Sequence, residues 1–179
     1  LKALKTKKVK IHGPGYDKIL THWLKNLKDW NISRQIVWGI RMPIWYNANS
    51  NPEIEVTFLD KNKQPISGKL KDLKKYSLEE IREGLQQLKT PIGTNYNVSA
   101  DSPGPDYLQE TDTFDTWFSS GQWPYATLKT TKPGDFERFY PTSVMETAYD
   151  ILIFWVMRML MFGIFETGEV PFKDVYLHG

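Results

Sequence analysis

One long apolar segment constrains the fold of this chain more than any other part of it. From Tyr149 to Phe165, apolar side chains occupy nearly every side of a helical projection, which is typical of a buried helix. The stretches 141–147 and 172–177 flank it and have the composition of short strands. A strand, a buried helix and a second strand predict a parallel crossover unit. The fold class indicated is therefore α/β, with an open sheet.

The carboxyl ends of the two predicted strands are the first place to expect a binding site. Ligands of open α/β sheets bind beyond the carboxyl ends of the strands, which here are residues 146–150 and 177–179. Asp150 stands where the first strand meets the helix. Its carboxylate could cap the first backbone N–H groups of the helix, or it could accept hydrogen bonds from the hydroxyls of a ribose. The spacing leaves both interpretations open.

Three large apolar side chains near this edge could form either core or a pocket. Ile151 and Trp155 are one helical turn apart, so they lie on the same side of the predicted helix. Trp117 belongs to the string DTWFSSG at 115–121, which reads as a strand or loop carrying aromatic residues beside a polar turn. Aromatic side chains on turns often face ligands. Ordinary packing is the alternative for all three residues.

The first half of the chain contains one clear amphipathic pattern. Apolar residues recur from Tyr16 to Trp30 at the i, i+3, i+4 spacing of a helix, with His22 on its wet face. Ser33, Arg34 and Gln35 follow this predicted helix. Arg34 is either an ordinary surface residue or a planar donor directed at a phosphate or carboxylate.

Residues 47–111 differ in character from the rest and predict an inserted α+β subdomain. Polar and turn residues dominate it, and a strand over 54–59 precedes a turn and a weaker partner strand over 65–70. The string beginning at Ser77 has the form of a capping box. It predicts a helix whose inward side chains are Leu78, Ile81, Leu85 and Leu88.

The composition excludes several classes of protein and several kinds of site. The 179 residues carry a formal charge of +2, which is too small to indicate a nucleic-acid binder, since such domains usually show strong basic clustering. With no Cys and only three His, disulfides and thiolate metal sites are excluded and a His-only metal site is not expected. The longest apolar run has 15 residues, fewer than the ~20 that a membrane helix needs. We therefore expect a cytoplasmic protein without a bound metal or a membrane partner.

The two ends of the chain suggest a piece of something longer. The sequence begins without Met, at a lysine-rich strip, and stops at His178-Gly179. The basic residues between Lys2 and Lys10 are either a solvated linker or a contact for RNA phosphates.

Several strings, in a consistent order, resemble one family of enzymes. The string DWNISRQ at 29–35, with Trp38-Gly39 and PIWY at 43–46, is similar to class I aminoacyl-tRNA synthetases for branched aliphatic amino acids. The strings DTWFSSG at 115–121, FYPT at 139–142, YDIL at 149–152 and PFKDVYLHG at 171–179 narrow the resemblance to valyl-tRNA synthetases. The similarity covers about 16–46 and 112–179, over half of the chain.

The resemblance implies a split Rossmann-like catalytic domain, of which this chain would be the second half. Such enzymes activate valine with ATP to valyl-adenylate and pyrophosphate, and then transfer valine to tRNA(Val). By similarity, Trp117, Ile151 and Trp155 would line the valine pocket. A hydrophobic pocket discriminates one methylene by only about 1–3 kcal/mol, and this family carries a separate editing domain.

The resemblance also assigns the remaining site residues, the partners and the domains. Asp150, Thr147, His178 and Gly179 would bind the adenylate, and Ser33, Arg34 and Gln35 would support the site or the tRNA acceptor end. ATP would enter with Mg²⁺ as a substrate, and the parent enzyme would act as a monomer. The implied domains are the exit of an editing insertion or a linker (1–15), a helix and strand of the catalytic domain (16–46), the inserted subdomain (47–111) and the Rossmann-like half (112–179).

The sequence also departs from the family pattern. Asn31, Ile40 and Ala148 stand where relatives have Cys, His and Gly, and the insertion lacks the Cys residues of a zinc ribbon. The HIGH-type and KMSKS-type motifs that stabilise the ATP phosphates are absent. We therefore expect the 179 residues alone to be inactive. The alternatives are a non-catalytic RNA-binding or interaction module derived from a synthetase, and an enzyme specific for isoleucine or leucine.

Overall fold

The computed structural model describes residues 1–179, which divide into two compact units. The first unit comprises Leu1–Ile32 and Asp115–Gly179, and the second comprises Ser33–Phe114. The strands are β1 (Lys10–His12), β2 (Ser33–Arg34), β3 (Ile44–Asn47), β4 (Glu55–Leu59), β5 (Pro65–Lys69), β6 (Leu85–Lys89), β7 (Asn97–Val98), β8 (Tyr107–Gln109), β9 (Thr113–Phe114), β10 (Thr142–Ala148) and β11 (Phe172–His178).

The α-helices are α1 (Lys2–Lys5), α2 (Tyr16–Lys25), α3 (Leu78–Gly84), α4 (Thr116–Ser120), α5 (Trp123–Thr131), α6 (Asp135–Phe139) and α7 (Met157–Thr167). Short 3₁₀ turns cover Leu70–Asp72 and Tyr149–Ile151, and a π-helix covers Leu152–Val156. None of the helices is both long and apolar enough to cross a bilayer.

The first unit contains a three-stranded parallel sheet in the order β1-β11-β10. Strands β10 and β11, which precede and follow the helical segment in the chain, pair with each other in parallel. The predicted crossover unit and the α/β class are therefore confirmed. The sheet and its helices enclose an apolar core. Its fully buried members include Leu20, Val156, Met159, Phe172 and Val175.

The apolar segment after β10 is not the continuous buried helix that its composition predicts. It begins as a 3₁₀ turn, widens into the π-helix Leu152–Val156 and becomes α-helical only at Met157. Met159 and Leu160 face the core, whereas Met161 and Ile164 are exposed and Phe165 is 88% exposed. The prediction of burial on all sides was wrong because a helix packed on one face of a sheet covers only one of its own faces.

Helix α2 starts at Tyr16 as predicted but ends at Lys25, short of Trp30. The side-chain amide of Asn26 donates to the carbonyl of His22 and closes the last turn. Of the apolar stripe, Leu20 is fully buried, but Ile19 and Trp23 are nearly half exposed. The amphipathic pattern thus identifies the helix but overestimates its length and its buried area.

The second unit is built from antiparallel strands. Strand β4 pairs with β5 and β6, strand β3 with β7 and β8, and β2 with β9. The predicted hairpin over 54–70 is confirmed, and its turn is closed by the Asp60 carboxylate, which accepts from the backbone of Asn62 and Gln64. Strand β3 contains Ile44, Trp45 and Tyr46 of the PIWY string.

The helix of the second unit is shorter than predicted. The Ser77 hydroxyl accepts from the backbone N–H of Glu80, which confirms the predicted N-cap. The helix stops at Gly84, however, so Leu85 and Leu88 lie on β6 and not on the helix. Gly84 packs directly against the backbone of Leu59 in β4, and this close approach turns the chain into the sheet.

Candidate functional site

The carboxyl edge of the parallel sheet gathers the residues assigned to the adenylate. In the β10–β11 register, Thr147 lies opposite Leu177 and Ala148 lies opposite His178. Because parallel strands end at the same edge, Asp150 and Gly179 follow at this edge as well. Thr147 is 6% exposed, whereas Asp150, His178 and Gly179 are accessible to solvent.

His178 is held at this edge by two contacts. Its Nε2 atom lies 3.2 Å from a carboxylate oxygen of Glu146, and its Nδ1 atom lies 2.7 Å from the carbonyl oxygen of Gly179. The Glu146 carboxylate is itself largely exposed. The edge therefore presents an imidazole and two carboxylates to solvent, which can hydrogen-bond the hydroxyls of a sugar and the edge of a base, whereas the Thr147 side chain is buried.

The structure tests one of the two roles considered for Asp150, the helix cap. Neither the 3₁₀ turn at Tyr149–Ile151 nor the π-helix that follows has a side-chain cap at its N-terminus. The capping role was therefore wrong. The Asp150 carboxylate is exposed at the sheet edge, where it can accept hydrogen bonds from a ligand.

The string DTWFSSG forms a helix, not the strand or loop that was predicted. The Asp115 carboxylate accepts from the backbone N–H of Trp117 at 3.1 Å and caps α4. A short polar side chain at the start of such a turn is a strong N-cap, and that preference outweighs the low helix propensity of the aromatic residues. Residues 116–120 are thereby presented as one turn of helix.

Trp117 and Trp155 each contact the other's segment where α4 packs against the π-helix. The Trp117 ring stacks on Phe154, with centroids 5.9 Å apart. The indole N–H of Trp155 donates to the carbonyl of Ser120 at 3.0 Å. Ile151 immediately precedes the π-helix and is partly exposed. The three predicted pocket residues are thus placed on two packed segments that adjoin the sheet edge.

Two residues at this contact were missed by the sequence analysis. Phe154, which is 42% exposed, supplies the partner ring of Trp117. The hydroxyl of Ser120 is buried without a hydrogen-bond partner, beside the carbonyl that Trp155 binds. The structural feature that points to these residues is the change to i→i+5 hydrogen bonding over 152–156, since π-turns within helices are frequent at functional sites. Sequence periodicity does not reveal such a turn.

Ser33, Arg34 and Gln35 lie in the second unit. Ser33 pairs with Phe114 and Arg34 with Thr113 in the β2–β9 ladder. The Arg34 guanidinium donates to the Ser33 carbonyl at 2.7 Å. Gln35 is exposed at the rim of a cavity of about 350 Å³.

That cavity has a distinct electrostatic character. Burial raises the pKa of the Asp112 carboxyl, and the charge of Glu110 raises it further. Burial also lowers the pKa of Arg41, whose guanidinium donates to the carbonyl of Glu110 at 2.8 Å. Burial therefore disfavours the charged form of each residue, and for Arg41 the charge of Glu110 opposes this effect. No group of three or more His, Asp or Glu side chains is arranged to hold a metal ion.

Comparison with known proteins identifies one family of enzymes. A model of the class I tRNA synthetases (I, L, M and V) matches residues 1–179. A chloroplastic/mitochondrial valine–tRNA ligase of Arabidopsis thaliana is 38% identical over 181 residues, and the valine–tRNA ligase of Coxiella burnetii is 36% identical over 180 residues. Both alignments cover the whole chain but only 16% of the relative.

A solved structure with some similarity is a leucyl-tRNA synthetase of Agrobacterium radiobacter K84 in a ternary complex with tRNA and LeuAMS. The superposition has a TM-score of 0.45 and 16% sequence identity, and it covers 90% of this chain and 22% of that one.

Proposed function

The chain belongs to the class I tRNA synthetases of the I, L, M and V group, and from that membership we propose that it forms part of the catalytic domain of a valine–tRNA ligase. The complete enzyme would activate valine with ATP to valyl-adenylate and pyrophosphate, and then transfer valine to tRNA(Val). The names of the relatives that align with the entire chain support valine as the substrate.

One arrangement carries this proposal. Trp117 and Trp155 lie at a single contact between α4 and the π-helix, and that helix starts beside Asp150 at the carboxyl edge of the sheet. In this proposal the two rings and the partly exposed Ile151 would enclose a space that suits a small branched side chain. Larger side chains would be excluded sterically, whereas a smaller or isosteric one would be rejected only weakly.

The adenylate would bind at the sheet edge next to this pocket. Asp150 would accept hydrogen bonds from the ribose hydroxyls, and Thr147, His178 and Gly179 would lie near the sugar and the adenine. The exposed carboxylate of Asp150 and the paired ends of β10 and β11 support this assignment. ATP would arrive as its Mg²⁺ complex, a substrate whose metal needs no resident ligand set in this chain.

The other parts of the chain would serve the same reaction. Ser33, Arg34 and Gln35 would support the site or the acceptor end of the tRNA. Residues 1–15 would form the exit of an editing insertion, and 47–111 an insertion within the catalytic domain. We also propose that the complete protein acts as a monomer in the cytoplasm, which size-exclusion chromatography and cell fractionation would test.

Amino-acid-dependent exchange of pyrophosphate into ATP tests the proposal. The complete protein should catalyse exchange with valine far better than with isoleucine, leucine or methionine, with threonine as the isosteric competitor. A preference for isoleucine or leucine would identify a sibling enzyme. No exchange with any amino acid, combined with retained RNA binding, would identify a non-catalytic module and overturn the proposal.

A further inference from the structure

Trp30 lies at a junction that the reaction proposed above does not use. Its indole N–H donates to a carboxylate oxygen of Asp115 at 2.9 Å. The guanidinium carbon of Arg158 lies 3.9 Å from the Trp30 ring centroid, in a cation–π contact. The ring of Phe118 is tilted against it, with centroids 6.3 Å apart. One side chain thus contacts both segments that carry the proposed pocket residues.

The carboxylate in the first of these contacts is also the N-cap of α4. Asp115 is 6% exposed, and its second carboxylate oxygen accepts from the backbone N–H of Trp117. Its carboxylate therefore bridges the Trp30 indole and the first turn of α4. Helix α4 has five residues, too few to be stable by itself. Its position and that of the Trp117 ring must come from tertiary contacts of this kind.

The second contact, between Trp30 and Arg158, involves a side chain that also hydrogen-bonds the π-helix Leu152–Val156. A guanidinium nitrogen of Arg158 donates to the carbonyl of Phe154 at 2.7 Å and to that of Ile153 at 3.3 Å. These carbonyls lie where the π-helix passes into α7, a place where the regular hydrogen-bond ladder is interrupted. The same guanidinium lies over the Trp30 ring, so the π-turn and the indole restrain each other.

We propose that Trp30 is a positioning residue for the amino-acid pocket. Through Asp115 it orients α4 and Trp117, and through Arg158 it holds the π-turn that carries Phe154 and Trp155. This role rests on the proposed function, because it assigns the two oriented walls to the valine site. Trp30 itself does not contact the amino acid.

The substitution Trp30→Phe in the complete protein separates this role from simple packing. It keeps a ring for Arg158 and Phe118 but removes the N–H donor to Asp115. Loss of one hydrogen bond to a buried carboxylate should raise the KM for valine roughly 3- to 10-fold in pyrophosphate exchange, while the KM for ATP stays unchanged. Trp23→Phe, at an exposed indole of α2, is the matched control and should change neither constant.

A double-mutant cycle identifies the path of the effect. If Trp30 acts through the carboxylate, Trp30→Phe should add little to the KM for valine in a protein that already carries Asp115→Asn. Independent, multiplicative effects of the two substitutions would overturn the inference. So would equal losses for valine and ATP, or a fall in kcat alone, because these indicate a general structural defect.

Hydrogen exchange gives a readout that does not depend on the substrate. In Trp30→Phe, the amides of the 115–121 segment should exchange at least about threefold faster, since opening of the cap is less costly. The same segment should be unchanged in Trp23→Phe. Unchanged exchange in Trp30→Phe would overturn the positioning role. Faster exchange in a protein that does not activate valine would show that Trp30 orients α4, and would refute the proposed function and the assignment of α4 to a valine pocket.

Discussion

At the scale of single residues, Trp155 has two proposed roles. It would line the valine pocket, and it links the two segments that would form that pocket. Its ring lies on the π-turn proposed as a wall of the valine site, while its indole N–H holds the carbonyl of Ser120 at the end of α4. Truncation therefore removes both a surface for the substrate and a link between two segments.

The first prediction concerns Trp155→Ala in the complete protein. The value of kcat/KM for valine should fall at least about tenfold, which corresponds to the loss of one well-packed apolar contact, and the KM for ATP should change little. Steady-state pyrophosphate exchange with each substrate varied in turn measures both. Phe165→Ala, at the most exposed ring of α7, is the control. Equal losses for valine and ATP would mean that Trp155 is only a core residue.

Tyr46 is a second residue whose environment has a measurable consequence. Its hydroxyl donates to the Glu110 carboxylate at 3.0 Å, and Glu110 also accepts from the backbone of Thr111 and Asp112. Burial, the negative charge of Glu110 and this hydrogen bond raise the pKa of Tyr46 to about 12. The neutral phenol is therefore the form that the fold favours.

The second prediction follows from the direction of that shift. Because the pKa in the folded state is above the ordinary value of about 10, the stabilisation is complete below pH 10 and is lost as the pH rises toward 12. Tyr46→Phe should remove one late-titrating phenol from the absorbance at 295 nm. At pH 7 it should also lower the free energy of unfolding by about 1–2 kcal/mol. An unchanged titration curve would contradict the assignment.

At the scale of secondary-structure elements, the ends of helices depend on what the chain meets in space. Helix α3 has a well-defined start at Ser77 and enough apolar residues to continue beyond Gly84. It stops there because the chain passes the backbone of Leu59 at a distance that leaves no room for a side chain. The leucines that follow then alternate as part of β6.

The third prediction tests this close approach. A methyl group at Gly84 would overlap the backbone carbonyl of Leu59, so Gly84→Ala should destabilise the second unit by about 1–3 kcal/mol, the usual cost of overpacking. Urea unfolding followed by circular dichroism measures the change. Gly104→Ala is the matched control, because the nearest atom to its added methyl group is 3.9 Å away. A neutral Gly84→Ala would show that β4 can move aside.

At the scale of the whole molecule, the proposed site has one half of what activation of an amino acid requires. The residues proposed for the valine pocket and the adenylate are in the first unit, whereas the sequence contains no HIGH-type or KMSKS-type motif to stabilise the phosphates of ATP. The chain spans 16% of the length of the valine–tRNA ligases named above. Electrostatic stabilisation of the reacting phosphates is usually a large part of catalysis.

The fourth prediction is that the 179 residues alone do not catalyse valine-dependent exchange, whereas the complete protein does. The assay is run on equal molar amounts, with circular dichroism to verify that the isolated chain is folded. Robust exchange by the folded 179-residue chain would contradict the division of roles between this region and the rest of the enzyme.

The sequence predicted those features that depend on neighbours along the chain. The strands β10 and β11, the hairpin of β4 and β5 and the Ser77 cap all follow from local patterns of side-chain size, branching and hydrogen-bonding capacity. The parallel pairing also follows, because a strand, a helix and a strand can form a sheet in few ways. The edge that gathers Thr147, Asp150 and His178 was therefore visible from the sequence.

Contacts between distant parts of the chain could be identified only from the tertiary structure. Trp30 and Asp115 are separated by 85 positions, and no periodicity links them, yet the carboxylate that caps α4 also accepts from the Trp30 indole. The π-turn, the exposed face of α7 and the early end of α3 likewise depend on which surfaces meet. Local patterns specify what an element can become, whereas competition among backbone bonding, steric contact and burial in three dimensions determines where it ends and which side chains converge.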